Sequence, residues 1–181
     1  MKRILLIVIL ILLASGFARA EGVYFKISGS YFYPSDSWFQ DIYGGGIKLG
    51  GELAFKVWDR LDLWIDGGFL SRKGELTFTK EETKLRIIPV GGGLRYRLTS
   101  GTFNLYMGAG VTYFMFHEEN VIGTVDSGGV GFTGKVGALI KVTRGLIFDI
   151  FVNYLNGKMT PADFTINVGG IEAGLGIGFE F

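Results

Sequence analysis

Ile171-Glu172-Ala173-Gly174-Leu175-Gly176-Ile177-Gly178-Phe179-Glu180-Phe181 decides how this chain folds. Every second residue is apolar, and the positions between hold only Glu and Gly. A period of two belongs to extended backbone, because successive side chains of a strand point to opposite faces. One face of the segment is thus apolar and uncharged, and the other is acidic or bare. The strand stands between two different surroundings.

Moving back along the chain, the same pattern recurs seven times. Leu146, Phe148, Ile150, Val152 and Tyr154 oppose Asp149, Phe151 and Asn153. Val130, Phe132, Gly134, Val136, Ala138, Ile140 and Val142 oppose Thr133, Lys135 and Lys141. Phe103, Leu105, Met107, Val111, Tyr113 and Met115 oppose Asn104, Tyr106, Thr112 and Phe114. Ile88, Val90, Leu94, Tyr96 and Leu98 oppose Pro89, Arg95 and Arg97. Leu61, Leu63, Ile65 and Phe69 oppose Asp62, Trp64 and Asp66. Tyr43, Ile47, Leu49, Leu53, Phe55 and Val57 oppose Lys48, Glu52 and Lys56. Val23, Phe25, Ile27, Tyr31 and Tyr33 oppose Tyr24, Lys26, Ser28, Ser30 and Phe32.

The connections alternate between two kinds. Tight turns sit at Trp58-Asp59-Arg60, Thr99-Ser100-Gly101 and Thr143-Arg144-Gly145. Longer polar stretches fall near 34–42, 72–84, 117–128 and 156–168. Short turns at one end and longer loops at the other predict an all-β fold, a closed antiparallel up-and-down eight-stranded barrel.

The apolar face carries no Asp, Glu, Lys or Arg in any of the eight segments, whereas the opposite face collects Lys26, Lys48, Glu52, Lys56, Asp62, Asp66, Arg95, Arg97, Lys135, Lys141, Asp149, Glu172 and Glu180. A soluble barrel would turn its apolar face inward around a ligand cavity. A transmembrane barrel turns it outward, where Arg or Lys at the midplane costs about 2–4 kcal/mol. Segment length favours the second arrangement, since about 9–11 tilted residues cross a bilayer. So do aromatic residues near both strand ends. Tyr31, Tyr33, Tyr43, Tyr113 and Tyr154 lie toward the long loops, and Phe55, Tyr96, Phe103, Phe148 and Phe179 toward the turns. Two interfacial girdles are expected from that distribution.

The first twenty residues stand apart. Lys2 and Arg3 precede an unbroken apolar run from Ile4 to Ala14, and Ala18-Arg19-Ala20 offers a small-residue cleavage site. This is the layout of a secretory signal peptide cleaved after Ala20, its run too short for a spanning helix. Residues 21–181 are then one barrel domain. Thirty glycines in 181 residues far exceed the usual share of about 7%. Net charge is only +1, and the leader's cations account for more than all of it. No basic excess points to nucleic acid. Cysteine is absent, which removes disulfides and thiolate metal sites. No cofactor is implied.

With the eight-segment layout, the stretch Ile88-Pro89-Val90 through Gly93-Leu94-Arg95-Tyr96-Arg97 and the ending Gly176-Ile177-Gly178-Phe179-Glu180-Phe181, the chain resembles the eight-stranded outer-membrane β-barrel family. That family includes the OmpA membrane domain and OmpX-like and OmpW-like proteins. The resemblance implies a bacterial outer-membrane location, with short turns in the periplasm and long loops outside. It also implies that Phe181, supported by Phe179, is the signal read by the barrel-assembly machinery. A cell-wall-binding domain is not expected.

An eight-stranded barrel is about wide enough for side chains to fill it. The inward charges nearly balance in sign, so a mutually paired plug is expected in preference to an ion path. Porins need about 16–18 strands, which excludes a wide pore. The resemblance offers two other roles. One is a narrow conduit for a small apolar molecule or ion, as in OmpW-like proteins. The other is a lipid A-modifying enzyme, which needs a His near a Ser and an acid. Here His117 is the sole histidine, with Asp126, Ser127 and Ser71 as companions, but residue 119 is Glu where the deacylase pattern has Ser. Catalysis is not expected. Exposed Arg72, Lys73, Lys80, Lys84 and Arg86 suit lipopolysaccharide phosphates. Trp38 and Phe39 stand out as exposed aromatics of the first loop. The expected function is a structural or surface-interaction role in the membrane.

Overall fold

In the computed structural model, which describes residues 22–75, 82–120, 123–159 and 166–181, the alternating segments are strands. They are β1 (Val23–Pro34), β2 (Gly46–Lys56), β3 (Leu61–Glu75), β4 (Glu82–Arg97), β5 (Phe103–Asn120), β6 (Gly123–Lys141), β7 (Leu146–Met159) and β9 (Gly170–Glu180). A helix, α1 (Ser37–Tyr43), follows β1, and a two-residue strand, β8 (Ile166–Asn167), folds back on β7. The signal peptide expected over residues 1–20, and loop residue Lys80, lie outside the described residues.

Each wall strand pairs antiparallel with its neighbours in sequence order, and β9 pairs with both β7 and β1. The eight-strand sheet is therefore closed. Closure removes the unpaired edges that hydrocarbon does not tolerate. The β3–β4 ladder lapses between Gly67–Val90 and Leu70–Ile87, where Pro89 has no N–H to donate. One end, the turn end, carries the tight turns and the β1 and β9 termini. The other, the loop end, carries α1 and the long hairpins.

The apolar face is outermost. Ile27 is 57% exposed, Leu175 64% and Phe132 71%, whereas Lys26, Glu52, Arg95 and Glu172 are buried. In water so continuous an apolar surface would be anomalous. It is what a lipid-facing wall requires, and the soluble-barrel alternative fails on it.

Three expectations need correction at the loop end. Strand β2 begins at Gly46, and Tyr43 is not on the lipid face but buried on α1. Phe39, expected as an exposed loop aromatic, is buried beside it, with ring centroids 5.1 Å apart. The described residues of the stretches near 72–84 and 117–128 are strand, so β3 to β6 rise well past the aromatic girdle as a raised wall. Helix α1 forms because Asp36 caps its start, accepting from the Phe39 amide at 3.2 Å. Gly44, at φ 62°, ends it in a conformation that costs glycine little.

Candidate functional site

The interior has two layers. From the turn end to past mid-height it is polar and charged. Glu52 of β2 is its centre: Arg95 Nη1 donates to Oε1 at 2.8 Å, Lys135 Nζ donates to Oε2 at 2.8 Å, and Lys26 Nζ lies 3.6 Å from Oε2. Each of these cations has a second carboxylate. Lys26 reaches Asp149 at 2.5 Å, Lys135 reaches Asp66 at 2.5 Å, and Arg95 reaches Asp62 at 3.0 Å. Toward the turn end Arg97 bridges Asp62 (2.8 Å) and Glu180 (3.5 Å), and Lys141 holds Glu180 at 2.6 Å. Toward the loop end Lys48 and Ser30 both donate to Glu172 at 2.6 Å.

Aromatic rings fill the space between. Lys135 Nζ sits 3.6 Å from the Trp64 ring centroid, and Arg95 lies between Tyr24 (5.2 Å) and Tyr106 (5.1 Å). The Tyr106 hydroxyl donates to Asp149. Such cation–π contacts strengthen when desolvated. A cavity of about 20 Å³ remains among Ser28, Lys48, Asp66 and Glu172. That is room for about one water. It is far too small for a sugar.

Of the thirteen charged residues marked in the sequence, twelve meet in these pairs: six cations and six carboxylates, in balance. Lys56 falls outside the set. It stands at the turn end, its side chain 42% exposed, 3.4 Å from Asp59 of the adjoining turn. Phe179 and Phe181 face outward and are exposed. The Phe181 amide donates to the Val23 carbonyl at 2.9 Å, which ties the last residue to the start of β1.

The second layer closes the mouth at the loop end, and charge patterning did not reveal it. Phe32, Leu70, Leu85, Ile87, Phe114, Phe116, Leu155 and Val168 converge there on Phe39 and Tyr43 of α1. Arg72 Nε donates to the Tyr43 carbonyl at 3.2 Å, and the Tyr43 hydroxyl lies 3.4 Å from Thr83 Oγ1. The signal was present in the sequence. Asp36 is a capping residue, Phe39, Ile42 and Tyr43 have helical spacing, and Gly44 is a stop.

The enzyme arrangement does not assemble. His117 Nδ1 and Asp126 Oδ1 are 2.6 Å apart across β5 and β6. Ser127, however, is the next residue on β6 and so takes the opposite face from Asp126. Ser71 shares the outer face but stands two strands from His117, with Arg86 between. Glu118 turns inward, accepting from Thr83 at 3.1 Å, so it cannot join His117 and Glu119 around a metal ion.

Comparison with known proteins gives the same architecture. The model of the outer membrane protein beta-barrel domain family matches residues 4–179. Neisserial surface protein A superposes with a TM-score of 0.71 at 16% identity, over 89% of this chain and 98% of that one. OprG from Pseudomonas aeruginosa gives 0.69 at 16% identity, over 90% and 97%. Outer Membrane Protein W of E. coli gives 0.53 at 18% identity, over 90% and 100%. At these identities the likeness is one of fold. No curated protein matches by sequence.

Proposed function

Because the chain belongs to the outer membrane protein β-barrel domain family, we propose that it works as an integral outer-membrane protein with a structural or surface-interaction role, closed to diffusion. The interior carries this reading. A balanced ion-pair network fills the lower lumen, and α1 stops the mouth with Phe39 and Tyr43. Isolated buried charges are costly, but these are shared among several partners and hold one another in place. In this arrangement the tight turns face the periplasm and α1 and the long hairpins face outward. Phe181 supplies the assembly signal, and the working surfaces are the outer rim and raised wall. A non-catalytic role fits the surroundings of the His117–Asp126 pair, where neither Ser71 nor Ser127 stands within reach among the described residues.

Purified protein in planar bilayers is expected to show no stepwise conductance above the baseline. Stable openings that admit sugars would overturn the closed-lumen reading. A narrow apolar conduit would require α1 to leave the mouth. Its signature would be ligand uptake that increases when Tyr43→Ala loosens the helix, with uptake unchanged in the closed barrel proposed here.

A further inference from the structure

Along β1 the inward series runs Tyr24, Lys26, Ser28, Ser30 and Phe32 from the turn end to the loop end. Lys26 belongs to the layer centred on Glu52, and Phe32 to the apolar stopper. Ser28, between them, borders the cavity of about 20 Å³. Gly50 of β2 makes that space. It is the direct partner of Ser28 and faces inward with no side chain, and a Cβ there would stand 3.2 Å from Ser28 Oγ. Asp66 and Lys48 face the lumen between two filled layers, yet their side chains stay 25% and 13% exposed. That exposure is to the cavity, which both of them line.

One acceptor in the wall has no donor. Asn153 of β7, 7% exposed, is the cross-strand partner of Glu172, and its amide donates to that carboxylate. The amide nitrogen is thereby held toward Glu172, and Oδ1 turns away from it. Oδ1 is buried without a hydrogen-bond partner among the described residues. Buried polar atoms of this kind nearly always have one. Asn153 borders the same cavity as Ser28.

Charge decides what belongs there. Lys26, Lys48 and Lys135 line the cavity against Glu52, Asp66 and Glu172, three of each sign. A cation would stand against three ammonium groups and an anion against three carboxylates, and desolvation penalises either. Asn153 Oδ1 calls for a donor. Lys48 Nζ gives one hydrogen to Glu172 at 2.6 Å and has two further N–H groups, which call for an acceptor. A small neutral molecule that both donates and accepts answers both demands.

We propose that the cavity is a binding site for one ordered water. It donates to Asn153 Oδ1 and to the Asp66 carboxylate, and accepts from Lys48 Nζ and the Ser28 hydroxyl. An internal water makes about three such bonds, and a cavity of this size holds one. The water ties β7 to β1, β2 and β3 across the lumen. Its slow exchange rests on the closed-lumen reading, since the ion-pair layer and α1 block the two exits.

Crystals of the refolded protein provide the test, at a resolution that shows ordered solvent and with a second set soaked in rubidium chloride. The expected result is a solvent peak within hydrogen-bond distance of Asn153 Oδ1, with no anomalous signal from rubidium. A dry cavity, or rubidium inside it, would overturn the proposal. Asn153→Leu removes the acceptor and is expected to lose the peak. In solution, oxygen-17 relaxation dispersion of the protein in micelles counts waters held for longer than molecular tumbling. Asn153→Leu is expected to hold one fewer than wild type, and equal counts sink the site. Should leucine prevent folding, the wild-type crystals decide alone. Bilayer conductance keeps the two levels apart. Stepwise openings with the water in place would remove the closed lumen and leave the site, whereas a silent barrel with a dry cavity removes only the site.

Discussion

Glu52→Ala lowers the stability of the folded barrel by about 3 kcal/mol, and Glu52→Gln recovers only part of the loss. Three cations, Lys26, Arg95 and Lys135, lie within 3.6 Å of this carboxylate, whose side chain is 3% exposed. Removing one partner of a buried pair typically costs about 3–5 kcal/mol, because a charge is left without compensation. The low end applies here, since Asp149, Asp62 and Asp66 remain with Lys26, Arg95 and Lys135 respectively. What those carboxylates cannot replace is the charge that keeps the three cations from repelling one another. Glutamine keeps the shape and one acceptor but not the charge. Glu118→Ala is the comparison: this carboxylate accepts from Thr83 at 3.1 Å at the rim and faces no cation there among the described residues, and its cost stays below about 1 kcal/mol. Denaturant midpoints of refolded protein, followed by unheated gel mobility, measure all three. A Glu52→Ala midpoint equal to that of wild type would mean that the network is dispensable for stability.

The parts of the barrel that could be read from sequence are those governed by period two. Once one face of a strand meets lipid, every second residue must be uncharged, and a one-residue slip would expose the whole polar set. Strand phase, strand count and the twelve inward charges follow from that constraint. The loop end follows other rules. Tyr43 continues the alternation of β2 by coincidence, since Gly45 and Ile47 come next in phase, yet Asp36 and Gly44 bracket it within a helix. Phe32, Phe114 and Phe116 face inward in the same phase as the charges, so alternation alone placed the first two inside without showing that an apolar stopper gathers there. Lys56 has inward phase too, but its strand ends with it, and the nearby turn carboxylate of Asp59 takes the ammonium. The raised wall eluded detection because its outer face is polar. Beyond the bilayer both faces meet water or protein, and Lys73, Lys84 and Arg86 read as loop.

Gly110→Val abolishes assembly or costs more than about 3 kcal/mol, whereas Gly134→Val is nearly silent. The two glycines sit on strands that pair with each other, but they look in opposite directions. Gly110 faces inward and pairs with Gly93, and the indole of Trp64, fully buried, lies across both. A Cβ at Gly110 would stand 2.5 Å from Trp64 Cζ2 and 2.8 Å from Cη2, and closer still to the Gly92 carbonyl oxygen. A side chain can give way, but a ladder carbonyl in a closed sheet has little freedom to move. Overpacking in a dense core usually costs about 1–3 kcal/mol, and a backbone clash adds to it. At Gly134 the added atom meets nothing within 4 Å, because it points into the lipid. Valine suits a strand, so the change there is expected to stay within about 0.5 kcal/mol of wild type. Trp64→Ala combined with Gly110→Val separates the two sources of the clash. Removing the indole relieves its contact but leaves the Gly92 carbonyl, so the double variant recovers only part of the loss. Fraction assembled, scored by unheated gel mobility and midpoint, distinguishes the outcomes. Gly110→Val assembling as well as Gly134→Val would mean that the interior is looser than these contacts require, and the closed lumen would lose its physical basis.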